Sequence, residues 1–363
     1  MRKTIFEKGN VVIAESAILA GCKFFSGYPI TPQSELLEYV SWRFPEEGRI
    51  FIQAESEVAS SGMVRGASIS GARAMTATSG PGLALMTEHL SDMCLARLPG
   101  VIVDVQRAAN GISPEQSDYN YVTKGIGQNG QRAMAYAPGN LQECADIMAL
   151  AFDKADQYRI PVFIMTDGMI GQMEEPVLLP EPVTERKHIP FASPTGRRGR
   201  GYPIKDVGMM PGNPLPYKNG MRSDEALEYA RHENWDMYKN WVENEVLYDT
   251  LMMEDAEYVI VAYGSAARTC IDAVKMLRAQ GIKVGMFRLI SISPFPEKQI
   301  AAFKGYKGVL TVEMCLPCNL FLDVEHYLDR SIPHRSYVRC GGNVIDEQGV
   351  CNVILEMAGK VEK

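Results

Sequence analysis

Residues Gln53–Ala67 place Glu57 midway along a helical stretch built from small side chains, among them Ala59, Ser60, Ser61, Gly62 and Gly66. A strand pattern ending in Thr76-Ala77-Thr78 follows, then the turn Ser79-Gly80-Pro81-Gly82 and a helical pattern over Leu83–Arg97. Helix, strand and helix joined by tight glycine and proline turns restrict the chain to a layered α/β fold. The small residues keep the first helix thin enough for a ring or a second chain to approach Glu57. A plainer reading also stands, that of a surface glutamate favoured near a helix N-terminus by the macrodipole.

The same alternation runs through the first half. Asn10–Ala20 is helical and stops at Gly21, Lys23–Ser26 is a short strand, and Gly27-Tyr28-Pro29-Ile30 connects onward. Thr31 suits an N-cap and Pro32 the first helical position. Arg73–Thr78, Val101–Val105 and Val162–Thr166 are further strands, with a helix over Leu141–Tyr158. This order predicts a parallel sheet with helices on both faces. Regularity is lost from Pro180 to Asn219, where Gly196-Arg197-Arg198-Gly199-Arg200-Gly201 adds a basic patch, read as a solvated surface connection. Helical pattern resumes over Ser223–Tyr248. A second α/β unit opens near Asp255, with strands at Tyr258–Tyr263, Val284–Ile290 and Gly308–Val312. The organisation expected is residues 1–180, a connecting segment with a helix at 181–254, and a second domain at 255–363.

Hydrophobic residues make up 46% and charged residues 22% of the 363 positions, the balance of a globular protein with two cores. A net charge of −7 argues against nucleic-acid binding, which needs a basic face. No apolar run is long enough to span a bilayer, and the N-terminus lacks a signal peptide's apolar segment, so a cytoplasmic location is expected. The eight cysteines are then expected as thiols. Cys315-Leu316-Pro317-Cys318 has ligand-like spacing, but the other cysteines are scattered. Two cysteines around a proline turn is the favoured reading there, ahead of a cluster ligand or a redox dithiol.

Three further positions carry candidate chemistry. Thr31 combines a hydroxyl with free N–H groups at a helix start, a setting for a small carboxylate or for a plain cap. Arg107 closes the strand that includes Val101–Gln106, where a guanidinium can grip a carboxylate by paired hydrogen bonds. Ser79 and Gly80 open a helix whose N–H groups can hold an anion. The histidines, at 89, 188, 232, 326 and 334, show no ligand-pair spacing.

Glu57 in its helix, followed by the Ser79–Gly82 turn, resembles the pyrimidine-binding domain of thiamine diphosphate enzymes. Gly27-Tyr28-Pro29-Ile30-Thr31-Pro32-Gln33-Ser34-Glu35, Thr78–Gly82, Val103–Arg107 and Thr166–Gly171 resemble the α subunit of 2-oxoacid:ferredoxin oxidoreductases. The resemblance continues through Val261–Gly264, Phe287–Ile290, Pro294–Pro296 and Val312–Met314. Ser113–Tyr119 and Thr123–Gly125 look most like the 2-oxoisovalerate branch.

By this resemblance the fold is a pyrimidine-binding domain followed by a transketolase C-terminal-like domain. The activity implied is oxidative decarboxylation of a 2-oxoacid with coenzyme A, electrons passing to ferredoxin. Glu57 would contact the cofactor's N1′, with Ser79 and Gly80 also at the cofactor. Thr31 and Arg107, flanked by Tyr28 and Ile30, would bind substrate. Family members hold the diphosphate through Gly-Asp-Gly and a later Asn; here Thr166 precedes Asp167-Gly168 and no suitable Asn follows. A β subunit with Mg²⁺ and a [4Fe-4S] cluster is therefore implied, together with γ and ferredoxin-like δ subunits, in a dimer of hetero-oligomers. Cys315–Cys318, Arg97, Ala108–Gly111 and Gln128–Gly130 depart from the family pattern and are expected near the pocket and subunit contacts, which leaves the substrate open. A non-catalytic subunit, or a thiamine enzyme without a redox step, are the rival readings.

Overall fold

The structure, a computed structural model, describes residues 3–109, 112–127, 130–187 and 223–360. The basic patch at 196–201 and parts of the departing segments (110–111 and 128–129) lie outside them.

The chain begins with β1 (Thr4–Lys8), α1 (Gly9–Leu19), β2 (Phe24–Gly27), α2 (Ser34–Glu46) and β3 (Ile50–Gln53). Next come α3 (Glu57–Ile69), β4 (Ala74–Thr78), α4 (Gly80–Ala96), β5 (Gly100–Gln106) and the short α5 (Tyr119–Thr123). After β6 (Met134–Tyr136), α6 (Leu141–Tyr158) and β7 (Pro161–Asp167), α7 (Gly168–Gln172) leads into β8 (Glu174–Leu178). The second half starts with α8 (Ser223–Asn244), β9 (Tyr248–Leu251), β10 (Tyr258–Tyr263), α9 (Gly264–Ala279) and β11 (Val284–Leu289). It ends with β12 (Ser291–Ser293), α10 (Glu297–Ala301), β13 (Gly308–Glu313), α11 (Asn319–Tyr327), β14 (His334–Val338) and α12 (Glu347–Met357).

Seven strands form the main sheet in the order β12-β6-β7-β5-β4-β2-β3. All pair in parallel except β12, which comes from the second half and pairs antiparallel with β6. β5 and β7 are buried along their full length, as expected for parallel strands covered on both faces. A second sheet, β14-β13-β10-β11-β9, is parallel apart from β9. β1 and β8 form a separate antiparallel ribbon.

The two faces of the main sheet carry different helices. α1, α2 and α6 pack on one face through Val12, Leu36 and Phe152. α3 and α4 pack on the other through Val64, Met86 and Leu90, in a cluster that also takes in Val261, Tyr263 and Phe287 of the second half. β2 and β4 are neighbours, yet α2 leaves β2 toward one face while α4 leaves β4 toward the other. That divergence opens a crevice at their carboxyl ends, where ligands bind in open α/β sheets.

Two helix starts differ from the sequence expectation. Thr31 and Pro32 lie before α2, because the Gln33 N–H bonds to the Ile30 carbonyl and closes a turn over 30–33. α4 begins at Gly80, three residues before Leu83. Among the described residues no helix is long and apolar enough to cross a membrane.

Candidate active site at the β2–β4 crevice

The crevice is built from four loops that leave the carboxyl ends of β2, β3, β4 and β5. After β2, the loop bearing Tyr28, Ile30 and Thr31 is fixed by three amide side chains. Gln33 Nε2 donates to the Tyr28 carbonyl (3.1 Å), while Asn10 Nδ2 (2.7 Å) and Gln172 Nε2 (3.3 Å) donate to the Pro32 carbonyl. Tyr28 and Thr31 are exposed and Ile30 is half-buried.

After β3, Ser56 caps α3 by accepting from Ala59 N–H (3.2 Å). Glu57 is thus the first residue of the helix rather than a mid-helix position. It is nonetheless buried, only 6% exposed, so the surface-glutamate reading does not describe it. Its carboxylate has no hydrogen bond or ion pair among the described residues. One turn on, Ser61 Oγ donates to the Glu57 carbonyl (3.0 Å) and lies 3.0 Å from His89 Nδ1 of α4, tying the two helices together.

After β4, Ser79 is the N-cap of α4, with its hydroxyl buried and without a hydrogen-bond partner among the described residues. Gly80 and Gly82 are glycines because of close approach. A Cβ on Gly80 would stand 2.6 Å from Asp118 Oδ1, and one on Gly82 would stand 2.6 Å from Glu57 Cγ and 2.1 Å from Thr78 Oγ1. Arg107 follows the end of β5, and its Nη1 donates to the Thr31 carbonyl (2.7 Å). Its Nε is buried and has no partner among the described residues. The structure therefore joins Thr31 to Arg107 on one side of the crevice and Glu57 to the Ser79–Gly82 turn on the other.

Two carboxyls without an assigned role stand behind that turn. Asp104, on β5, is fully buried, and among the described residues neither of its oxygens meets an N–H or O–H donor. Burial, and then the neighbouring Asp118, hold its acid well above the usual carboxylate range. Asp118 is pushed up to about 6, again chiefly by burial. The sequence signal was present: an aspartate inside the apolar run Val101–Val105 is a buried acid, a group that rarely stays unpaired without purpose.

Asp167 has other duties. Its Oδ1 accepts from Met169 N–H (2.9 Å) and Ile170 N–H (3.1 Å), capping α7, and its other oxygen accepts from Ser265 Oγ of α9. Arg97 is a correction: it sits at the far end of α4 in the left-handed region (φ 58°), with Nη1 on Met237 Sδ, remote from the crevice. Cys315 is buried, Cys318 occupies the N-cap position of α11 without a side-chain capping bond, and all eight cysteines are free thiols.

Known proteins with similar sequence and structure fit this geometry. The family described as "Pyruvate flavodoxin/ferredoxin oxidoreductase, thiamine diP-bdg" matches residues 15–246, and "Pyruvate:ferredoxin oxidoreductase core domain II" matches residues 256–350. The ketoisovalerate oxidoreductase subunit VorB of Methanothermobacter thermautotrophicus is 40% identical, the alignment covering 97% of each chain. The 2-oxoglutarate synthase subunit KorA of Methanothermobacter marburgensis is 33% identical over 98% of this chain and 100% of its own. Among solved structures, 2-oxoglutarate:ferredoxin oxidoreductase from Magnetococcus marinus superposes with a TM-score of 0.82 at 26% identity. The match takes in 98% of this chain and 65% of that longer one. A split-gene transketolase shares the fold at a TM-score of 0.57 and 13% identity. With a thiamine diphosphate-binding domain, a core domain II and full-length relatives of one kind, the chain belongs to the subunits of the 2-oxoacid:ferredoxin oxidoreductase family.

Proposed function

We propose that this chain is the α subunit of a complex that oxidatively decarboxylates a branched-chain 2-oxoacid with coenzyme A and passes electrons to ferredoxin. The observation that carries the reading is Glu57: a carboxylate nearly removed from water, without a protein partner, against a glycine at the crevice. Such a group calls for a ligand with a polar edge. Thiamine diphosphate, when bound, supplies the electron sink for decarboxylation. Glu57 would hold the aminopyrimidine ring at N1′, and the hydroxyl of Ser79 and the N–H of Gly80 would face the same cofactor.

The chain's other residues serve the substrate. Arg107 is anchored to the Thr31 carbonyl through Nη1 alone, leaving further guanidinium N–H groups for a substrate carboxylate. The Thr31 hydroxyl would bind beside it. Tyr28 and Ile30 give that end an apolar border suited to an aliphatic 2-oxoacid. The higher identity to a ketoisovalerate subunit than to a 2-oxoglutarate subunit supports the branched-chain choice.

A partner must supply the rest. Both Asp167 oxygens are consumed inside the chain, so this Asp-Gly cannot ligate Mg²⁺. Tyr28 on the loop after β2, Val58 in the first turn of α3 and Leu85 in the second turn of α4 expose apolar surface suited to a second subunit. In this reading a β subunit carries the diphosphate half, Mg²⁺ and a [4Fe-4S] cluster; γ and ferredoxin-like δ subunits complete each half of a dimer of hetero-oligomers in the cytoplasm. The division at 1–180, 181–254 and 255–363 belongs to the same proposal. The test is to purify the native assembly and assay it with coenzyme A and ferredoxin. 2-Oxoisovalerate, pyruvate, 2-oxoglutarate and an aryl 2-oxoacid are compared. Highest kcat/KM on 2-oxoisovalerate supports the reading; turnover confined to another acid refutes the substrate, and a colourless, thiamine-free assembly refutes the whole.

A further inference from the structure

Asp104 and Asp118 are held together by the fold itself. Asp104 sits on β5 paired with Thr78 of β4, and its side chain shares a face of the strand with Gln106 two residues on. Gln106 Oε1 accepts the Asp118 N–H (3.2 Å), which sets Asp118 beside that face. Both oxygens of Asp104 and Oδ2 of Asp118 find no N–H or O–H donor among the described residues, and each carboxyl faces the other. Two ionised carboxylates cannot share so dry a place, since each lacks solvent and repels the other. A proton between them turns the clash into a strong, charge-assisted hydrogen bond.

The pair is asymmetric. Asp118 touches Gly80 at the N-terminus of α4, where the helix dipole favours negative charge. Asp104 has no such support. Around Asp118, Glu115 from its own loop disfavours ionisation and Arg107 at the end of β5 favours it. Tyr263 of β10, buried nearby, also feels the Asp118 charge. α4 contributes no charged side chain in its first turn. Asp104 therefore carries the proton and Asp118 the charge.

We propose that Asp104 and Asp118 form an acid–carboxylate pair that holds one proton and positions the Ser79–Gly82 turn against Glu57. Asp118 presses on Gly80 from behind while Glu57 lies against Gly82 from the front, so the turn is clamped between the two carboxylates. The role assigned to the turn rests on the proposed thiamine reading; the shared proton does not.

The test follows both parts. Infrared difference spectra of the full chain at pH 7 and 8 read protonated carboxyl groups directly, by the shift of the acid C=O band on deuteration. Glu313, pushed to about 7 by burial, contributes its own band, so the quantity read is wild type minus variant. Asp104→Asn keeps a hydrogen bond to Asp118 but removes the proton: the band should be lost with the fold retained, whereas Asp118→Asn should keep it. A wild-type chain without any protonated acid at pH 8, or a band unchanged in Asp104→Asn, overturns the pair, and the first result needs no variant to fold. In the assembled complex, thiamine diphosphate affinity should weaken at alkaline pH in the wild type and become pH-independent in Asp104→Asn. Asp118→Asn should weaken it by about fivefold, the size of a lost charge at a helix N-terminus. An alkaline limb persisting in Asp104→Asn overturns the positioning role. A complex that binds no thiamine at all, with the infrared band in place, refutes the cofactor reading and the turn's role but leaves the shared proton standing.

Discussion

Glu57 and Gly82 belong to different helices, yet the carboxylate lies so near the glycine that a Cβ there would stand 2.8 Å from Glu57 Oε1 and closer still to Cγ. The contact joins the first residue of α3 to the first turn of α4 across the crevice. In the proposed reading the glycine clears a lane by which the cofactor would reach the carboxylate.

Glu57→Gln keeps the shape and removes the ionisable oxygen. Turnover of the assembled enzyme should fall by about 10²-fold or more, the lower range of what a positioned proton-transfer group contributes. Single-turnover decarboxylation measures it; unchanged kcat would remove Glu57 from the chemistry.

Gly82→Ala tests the lane. The added methyl would meet Thr78 Oγ1 and Glu57, so overpacking of about 1–3 kcal/mol is expected. Thermal unfolding should show the loss, and thiamine diphosphate affinity should drop with it. A variant as stable and as tight-binding as the wild type would show that the helices can separate freely.

Arg107→Ala should raise KM for the 2-oxoacid by roughly tenfold to a hundredfold, matching about 1.5–3 kcal/mol for hydrogen bonds to a charged group. Thiamine diphosphate affinity should stay near wild type. Steady-state kinetics beside cofactor titration separate the two; loss of cofactor alone would move Arg107 to the other side of the crevice.

Much of this arrangement was legible in the sequence, and the exceptions have physical causes. α6 spans Leu141–Tyr158 as read, because an asparagine cap precedes a clean apolar stripe: Asn140 accepts from Glu143 N–H, and Leu141, Ala145, Met148 and Phe152 are buried. The start of α2 was misread because Thr31-Pro32 has the local chemistry of a helix start. What overrides it is distant: Asn10 and Gln172 hold the Pro32 carbonyl, and no local pattern reports them. Glu57 was placed too deep because the last residue of β3 and the link after it, Gln53–Ser56, were counted as helix. Ser56 was the local signal, a serine cap three residues before the N–H it accepts. The short edge strands β9 and β12 carry too few residues for a periodicity to show.

Glu313 predicts a pH dependence of stability. Its carboxyl, which accepts from Leu320 N–H and Phe321 N–H (2.9 Å each), is raised by burial from 4.5 to about 7. A raised acid favours the fold while protonated, so its contribution is complete below pH 4.5 and is lost as pH climbs through about 7. Glu313→Gln should flatten the fall of Tm across that window relative to wild type. Parallel Tm curves would show that Glu313 titrates as it does unfolded.

The central claim concerns which molecule fills the lane in front of Glu57. A structure of the native assembly with thiamine diphosphate tests it directly. The account predicts N1′ of the aminopyrimidine within hydrogen-bond distance of a Glu57 carboxylate oxygen, with Gly82 alongside. An aminopyrimidine ring seated elsewhere, with Glu57 facing only water or a partner side chain, would contradict it.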